Sequence, residues 1–219
     1  MKLTKNPALK QKFLLKLQKR YDISRTGIHV SDLVYCLREA YWKKKDPQPQ
    51  TVKTLSFFVD GARRHEALQE LLDVDSEVEV EKYGVVGHVD MLEEDLFNFI
   101  PVEVKTTRSQ NSLPEHYLKQ LGFYAVLLGV KSGCLVIQRL INEDPWEFYL
   151  VEWTHEEITE LEEEMKHKAS LLQNALKNET PEILPKAEQT MNWKCQNCLY
   201  KQRCGDETDA TEARGESVE

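Results

Sequence analysis

No apolar run in this chain approaches the ~20 residues that a bilayer-crossing helix requires, so a membrane protein is not expected. No secretory signal is visible at the start, and the 5 cysteines are odd in number. Both facts weaken a disulfide framework and point to a cytoplasmic chain. Serine is missing from the first twenty residues and Lys outnumbers Arg there, which argues against a transit peptide. No internal repeat is apparent. Basic charge is also short, with a formal net charge of −8. That deficit would speak against a nucleic-acid partner if the charge were spread evenly. Residues 1–20, however, hold six Lys, one Arg and no acid, whereas residues 205–219 hold six acids and one Arg. A local basic face can therefore coexist with the negative total.

What is present suits a single globular domain: 219 residues, 41% hydrophobic and 30% charged, enough to bury a sizeable core. The ends differ from the middle. Residues 1–25 read as a basic N-terminal segment, with an amphipathic helix over Ala8–Tyr21 packing as an appendage on the core and a DNA-backbone contact as the alternative. Residues 26–205 read as the folded domain. Residues 206–219 read as a disordered acidic tail, too poor in apolar residues to pack.

The most telling run is Gly87-His88-Val89-Asp90, followed after twelve residues by Glu103-Val104-Lys105. Side chains alternate along a strand, so Glu103 and Lys105 share one face and Val104 points the other way into the core. The stretch Glu93–Asn98 reads as a hairpin turn that returns Glu103 to the neighbourhood of Asp90. Two carboxylates held together repel, and the usual remedy is a hard divalent cation, Mg²⁺ or Mn²⁺. Lys105 beside such an ion suits an anionic substrate or an attacking water. Glu-x-Lys is common on solvated strands, but here Ile100-Pro101-Val102 precedes it and both acids lie at or within apolar strands. His65 lies upstream on a helix capped by Asp60. Gln120 and Tyr124 lie downstream at i and i+4 on one helix face.

The cysteines form a second constellation. Cys195, Cys198 and Cys204 give C-x₂-C-x₅-C near the C-terminus, and Cys36 stands 159 positions before Cys195. Cys134 sits in an apolar strand and reads as a small core residue. Four thiolates suit tetrahedral Zn²⁺ or a [4Fe–4S] cluster. With one ligand remote from the other three, either metal would staple the N-terminal segment to the C-terminal one.

The expected order is a helix over Asp32–Lys43 carrying Cys36, a helix over Leu55–Leu72 carrying His65, and strands at Ser76–Tyr83, Val85–Met91 and Asn98–Lys105. A helix then runs from Leu113-Pro114 to Leu128, with strands at Cys134–Leu140 and Glu147–Glu152 and a long helix over Thr154–Asn178. Trp42, Tyr35 and Tyr41 read as core or as shielding for the cysteines, with base stacking as the alternative. His88 reads as structural.

In this order His65, Asp90, Glu103-Val104-Lys105 and Gln120-x-x-x-Tyr124 resemble the RecB-like branch of the PD-(D/E)xK nuclease superfamily. Val89 stands where many members place Pro. With one Cys before and three after, and with the segment Val30–Trp42, the chain resembles the fourth family of CRISPR-associated (Cas) exonucleases. Leu37 replaces the Pro usual after the first Cys. The resemblance implies an α/β fold: a restriction-endonuclease-like core, a mixed central sheet flanked by helices, with N- and C-terminal segments joined by a metal cluster. It implies that His65, Asp90, Glu103 and the Val104 carbonyl bind Mg²⁺ or Mn²⁺. Lys105 would orient or activate the attacking water, and Gln120 and Tyr124 would support Lys105 and the DNA strand. Cys36, Cys195, Cys198 and Cys204 would hold a structural [4Fe–4S] cluster. The implied activity is metal-dependent exonuclease action on single-stranded DNA ends in CRISPR adaptation, with that system's integrase proteins as partners. A stand-alone RecB-like repair or mobile-element nuclease, and a non-catalytic DNA-binding module, are the alternative readings.

Overall fold

The computed structural model describes residues 6–21, 26–72, 78–95, 98–109, 113–187 and 191–204. The acidic tail lies outside them. Helix α1 (Pro7–Tyr21) is followed by a two-residue strand β1 (Ile28–His29), short helices α2 (Val30–Val34) and α3 (Leu37–Lys45), and the long α4 (Val52–Leu72). Strands β2 (Val78–Lys82), β3 (Val85–Val89), β4 (Met91–Asp95) and β5 (Asn98–Thr107) come next. Helix α5 (Glu115–Leu128) crosses to β6 (Ser132–Arg139), then β7 (Trp146–Glu152), α6 (His155–Asn178) and α7 (Asn192–Gln196).

The strands form two sheets, ordered β1-β3-β2 and β4-β5-β6-β7. Pairing is antiparallel except for β1 with β3 and β5 with β6. The parallel β5–β6 pair needs a crossover, and α5 supplies it. Mixed sheets flanked by helices are thus the observed architecture, as expected.

Alternation along the central strands sets the two sheet faces. Val102, Val104 and Val136 pack with Met91 and with Leu68 of α4. Leu135 and Ile137 pack on the other face with Leu121 of α5. The largest core joins α2, α3, β3, α5 and α6 through Leu33, Leu37, Val89, Phe123 and Leu172. Gly87 is required by this packing: a Cβ there would lie 2.8 Å from Leu127 Cδ1 and 3.0 Å from the Tyr124 ring.

Four expectations need correction. Asp60 does not cap the helix that carries His65: α4 starts at Val52 and Asp60 lies within it. The helix expected over Asp32–Lys43 is two helices, broken at Tyr35 and Cys36, both with extended or irregular backbone. Just past the break, Arg38 of α3 reaches partners far along the chain and donates to the carbonyls of Leu184 (2.8 Å) and Cys204 (3.2 Å). Local propensity carries no trace of those contacts. The strand expected over Val85–Met91 ends at Val89, and Asp90 stands between β3 and β4. Its carboxylate accepts the Val104 N–H at 2.8 Å, so a side chain takes the place of a ladder carbonyl. The β4–β5 ladder also runs out to Asp95 and Asn98, further than a turn over Glu93–Asn98 allows. Its antiparallel pairing nevertheless brings β5 back beside Asp90, as expected.

Candidate active site and thiol cavity

Register assembles the first site. Met91 pairs with Val102 in the β4–β5 ladder, which sets Asp90 beside Glu103 and Val104. Asp90 is 7% and Glu103 2% exposed. The Asp90 Oδ1 faces His65 Nδ1 at 3.2 Å, while Oδ2 is held by the Val104 N–H. Lys105 Nζ is ion-paired with Glu103 Oε1 and donates to Gln120 Oε1 at 2.9 Å. Gln120 Nε2 in turn donates to the Tyr124 hydroxyl at 3.0 Å. The structure therefore brings these residues together as two chains of contacts, His65–Asp90–Val104 and Glu103–Lys105–Gln120–Tyr124, which meet at the Glu103–Val104 peptide.

Burial governs the electrostatics. Loss of hydration pushes the Glu103 carboxyl up to about 7, the Lys105 ammonium opposes this and the Asp90 carboxylate adds to it. The same burial disfavours the charged form of Lys105, but the Glu103 carboxylate overcomes it and raises the ammonium above its ordinary range. His65 follows the same pattern: burial opposes its charged form, and the bond to Asp90 outweighs burial and raises its pKa.

One oxygen is left over. Glu103 Oε2 is buried with no hydrogen-bond partner. A buried carboxylate oxygen without a donor is costly, and a hard cation is the partner its chemistry fits. Asp90 Oδ1 faces the same cluster. Glu103 Oε2 and Asp90 Oδ1 are thus oxygens of the kind a divalent ion takes, although among the described residues no group of three or more His, Cys, Asp or Glu side chains is placed to hold one.

Gln69 was not anticipated. It stands one turn after His65 on α4, and its Nε2 donates to the Asp90 main-chain carbonyl at 2.8 Å. The i, i+4 spacing of His65 and Gln69 was the available signal. Tyr117 was also missed; its ring centroid lies 5.4 Å from Lys105 Nζ.

The second site is a small cavity lined by all four of Cys36, Cys195, Cys198 and Cys204, with Glu39, Lys194 and Lys201. The Tyr200 N–H donates to Cys198 Sγ at 3.4 Å. Burial raises the Cys198 thiol, and Glu39 and Cys36 add to the rise against that N–H bond. Lys194 bonds Glu39 at 2.8 Å, which ties the cysteine segment to α3. Cys134 lies elsewhere, packed beside Val102, Val104 and Val136. Four soft sulfurs line one cavity, the donor type that thiophilic metals take, although among the described residues they are not drawn together as a ligand group.

A family model of the PD-(D/E)XK nuclease superfamily matches residues 14–205. The chain belongs to the PD-(D/E)XK nuclease superfamily, whose members are typically metal-dependent nucleases and usually use Mg²⁺ or Mn²⁺. Among solved structures it is similar to one titled "Crystal structure of SSO0001", with a TM-score of 0.62 and 22% identity over 90% of this chain and 97% of that one. At that identity the likeness bears on the fold. The search of curated proteins returned no match.

Proposed function

We propose that this protein is a divalent-metal-dependent DNA exonuclease that acts on single-stranded ends. The observation that carries the reading is the buried Asp90–Glu103–Lys105 group with its unpartnered Glu103 oxygen, in a chain of this superfamily. His65, Asp90, Glu103 and the Val104 carbonyl would hold Mg²⁺ or Mn²⁺, which supplies Lewis-acid stabilisation of charge on the phosphodiester oxygens. Lys105 would orient the attacking water and face the scissile phosphate. Its Nζ is aimed by two acceptors, Glu103 Oε1 and Gln120 Oε1, and Tyr124 fixes the Gln120 amide from behind. Gln69 and the Val104 N–H fix Asp90 from its main chain and its side chain. Preorganisation of this kind lowers the barrier because no group has to turn when charge develops.

The four cysteines would hold a structural [4Fe–4S] cluster that joins residues before and after the nuclease core. The role we assign is trimming of DNA ends for CRISPR adaptation in the cytoplasm, with integrase proteins as partners. Two measurements test the reading. Cleavage of a 5′- and 3′-labelled single strand should require Mg²⁺ or Mn²⁺ and disappear in Asp90→Ala. Elemental analysis of anaerobically purified protein should give iron and sulfide; zinc in their place removes the cluster assignment.

A further inference from the structure

Between the two sites lies a group of rings that neither uses. His116, in the first turn of α5, has Tyr117, Tyr35 and Trp193 around it at ring-centroid distances of 4.6, 5.4 and 5.8 Å. The rings come from three segments: the break between α2 and α3, the start of α5, and α7. An aromatic cluster is ordinarily core, but this one reaches the surface. Trp193 is 48% exposed, and Tyr35, His116 and Tyr117 are each half-buried. Its inner end is at the candidate active site, where Lys105 Nζ lies 5.4 Å from the Tyr117 centroid. At the outer end Lys194 Nζ sits 4.7 Å over the Tyr35 ring, with its charge already engaged by Glu39. The surface therefore offers π faces more than free charge. Burial and the nearby Lys105 and Lys194 ammonium groups hold His116 down to about 4, so the ring is neutral near pH 7.

A row of rings that starts beside the phosphate-facing ammonium and ends in a half-exposed indole matches the chemistry of unpaired nucleobases. Stacking on such rings tolerates any base sequence. Paired bases in a duplex would present only their edges and the phosphate backbone to it. We propose that Trp193, with His116 and Tyr117, forms a stacking wall for the unpaired bases next to the scissile phosphate, and so selects single-stranded DNA. This rests on the nuclease reading above. It also gives the thiol cavity a second consequence, since Trp193 and Cys195 share α7 and the cysteine segment positions the wall.

The test is an abasic scan with the full-length protein. Binding of a fluorescent single strand is measured in Ca²⁺ while one abasic position is moved along the strand from the end. Wild-type protein should bind more weakly when the gap falls near the scissile position, on the order of 5- to 150-fold. Trp193→Ala should lose a similar factor on the intact strand and almost nothing further on the gapped one, with Trp193→Phe recovering most of it. In cleavage assays Trp193→Ala should raise KM far more than it lowers kcat. Wild-type protein that binds gapped and intact strands equally overturns the wall without reference to any variant. An equal loss on both strands in Trp193→Ala overturns it too. Cleavage without discrimination removes the wall and leaves the nuclease; discrimination without cleavage does the reverse.

Discussion

The candidate active site and the thiol cavity are built in opposite ways. The first is assembled by strand register: the β4–β5 pairing sets Asp90, between β3 and β4, beside Glu103, Val104 and Lys105 of β5, and close hydrogen bonds and ion pairs fix them. The second collects residues separated by 159 positions, and polar clamps hold it together. Arg38 reaches the Leu184 and Cys204 carbonyls, Lys194 reaches Glu39, and Arg203 pairs with Asp46. Local register gives precision and carries chemistry; a long-range clamp closes the chain on itself and carries stability. The two sites should therefore fail differently.

The largest separation is expected for the carboxylates. Asp90→Asn and Glu103→Gln should each cut turnover by about 10³-fold or more while moving the thermal midpoint little. Glu103→Gln is the informative variant, because Glu103→Ala would strand the buried Lys105 charge and cost on the order of 3–5 kcal/mol. A Glu103→Gln protein with wild-type turnover in Mn²⁺ would remove the active-site assignment.

The cysteines should show the converse. Cys36→Ser and Cys198→Ser should lose metal together and drop the thermal midpoint by similar amounts, on the order of 10 °C. Cys134→Ser should keep full metal content. If the Cys36 variant retains all its iron, the staple between the chain ends does not exist.

Arg38→Ala sharpens the contrast. It removes a charged donor from three main-chain carbonyls, those of Leu184, Cys204 and Glu182, with an expected cost of about 1–3 kcal/mol. Chemical denaturation should register that loss while kcat on a short single strand stays within about twofold. A large fall in kcat would mean that the clamp also shapes the active site.

The smallest effect concerns pH. His116 has a folded pKa near 4, below its ordinary value near 6.5, so the unfolded chain binds the extra proton between those limits. Its contribution is full above about pH 6.5, falls as pH drops towards 4, and is constant below that. His116→Phe keeps a ring and removes the titration. Urea midpoints for this variant should be flatter than wild type across that window, and parallel curves would show that His116 is not held neutral.

Much of this arrangement was legible in sequence. Alternation placed Glu103 and Lys105 on one face, helix spacing paired Gln120 with Tyr124, and apolar runs located nearly every strand and helix. What was not legible depended on distant partners. The segment after the break at Tyr35–Cys36 is held by carbonyls 146 and 166 residues away from Arg38. At the interruption, Asp90 accepts the N–H of Val104 from β5. The ring group around His116 joins three segments that share no local pattern.

The sequence by itself determined the alphabet of both sites: two acids and a lysine on apolar strands, four thiols at metal-like spacing, and a helix periodicity that turns Gln120 and Tyr124 to one side. These follow from side-chain chemistry and from strand and helix periods, which are local. The tertiary structure decided which carboxylate oxygen is left without a partner, how far burial moves Glu103, and that four cysteines from the two ends line one cavity. Those properties depend on desolvation and on contacts across the fold, and neither exists until the sheets and helices have packed.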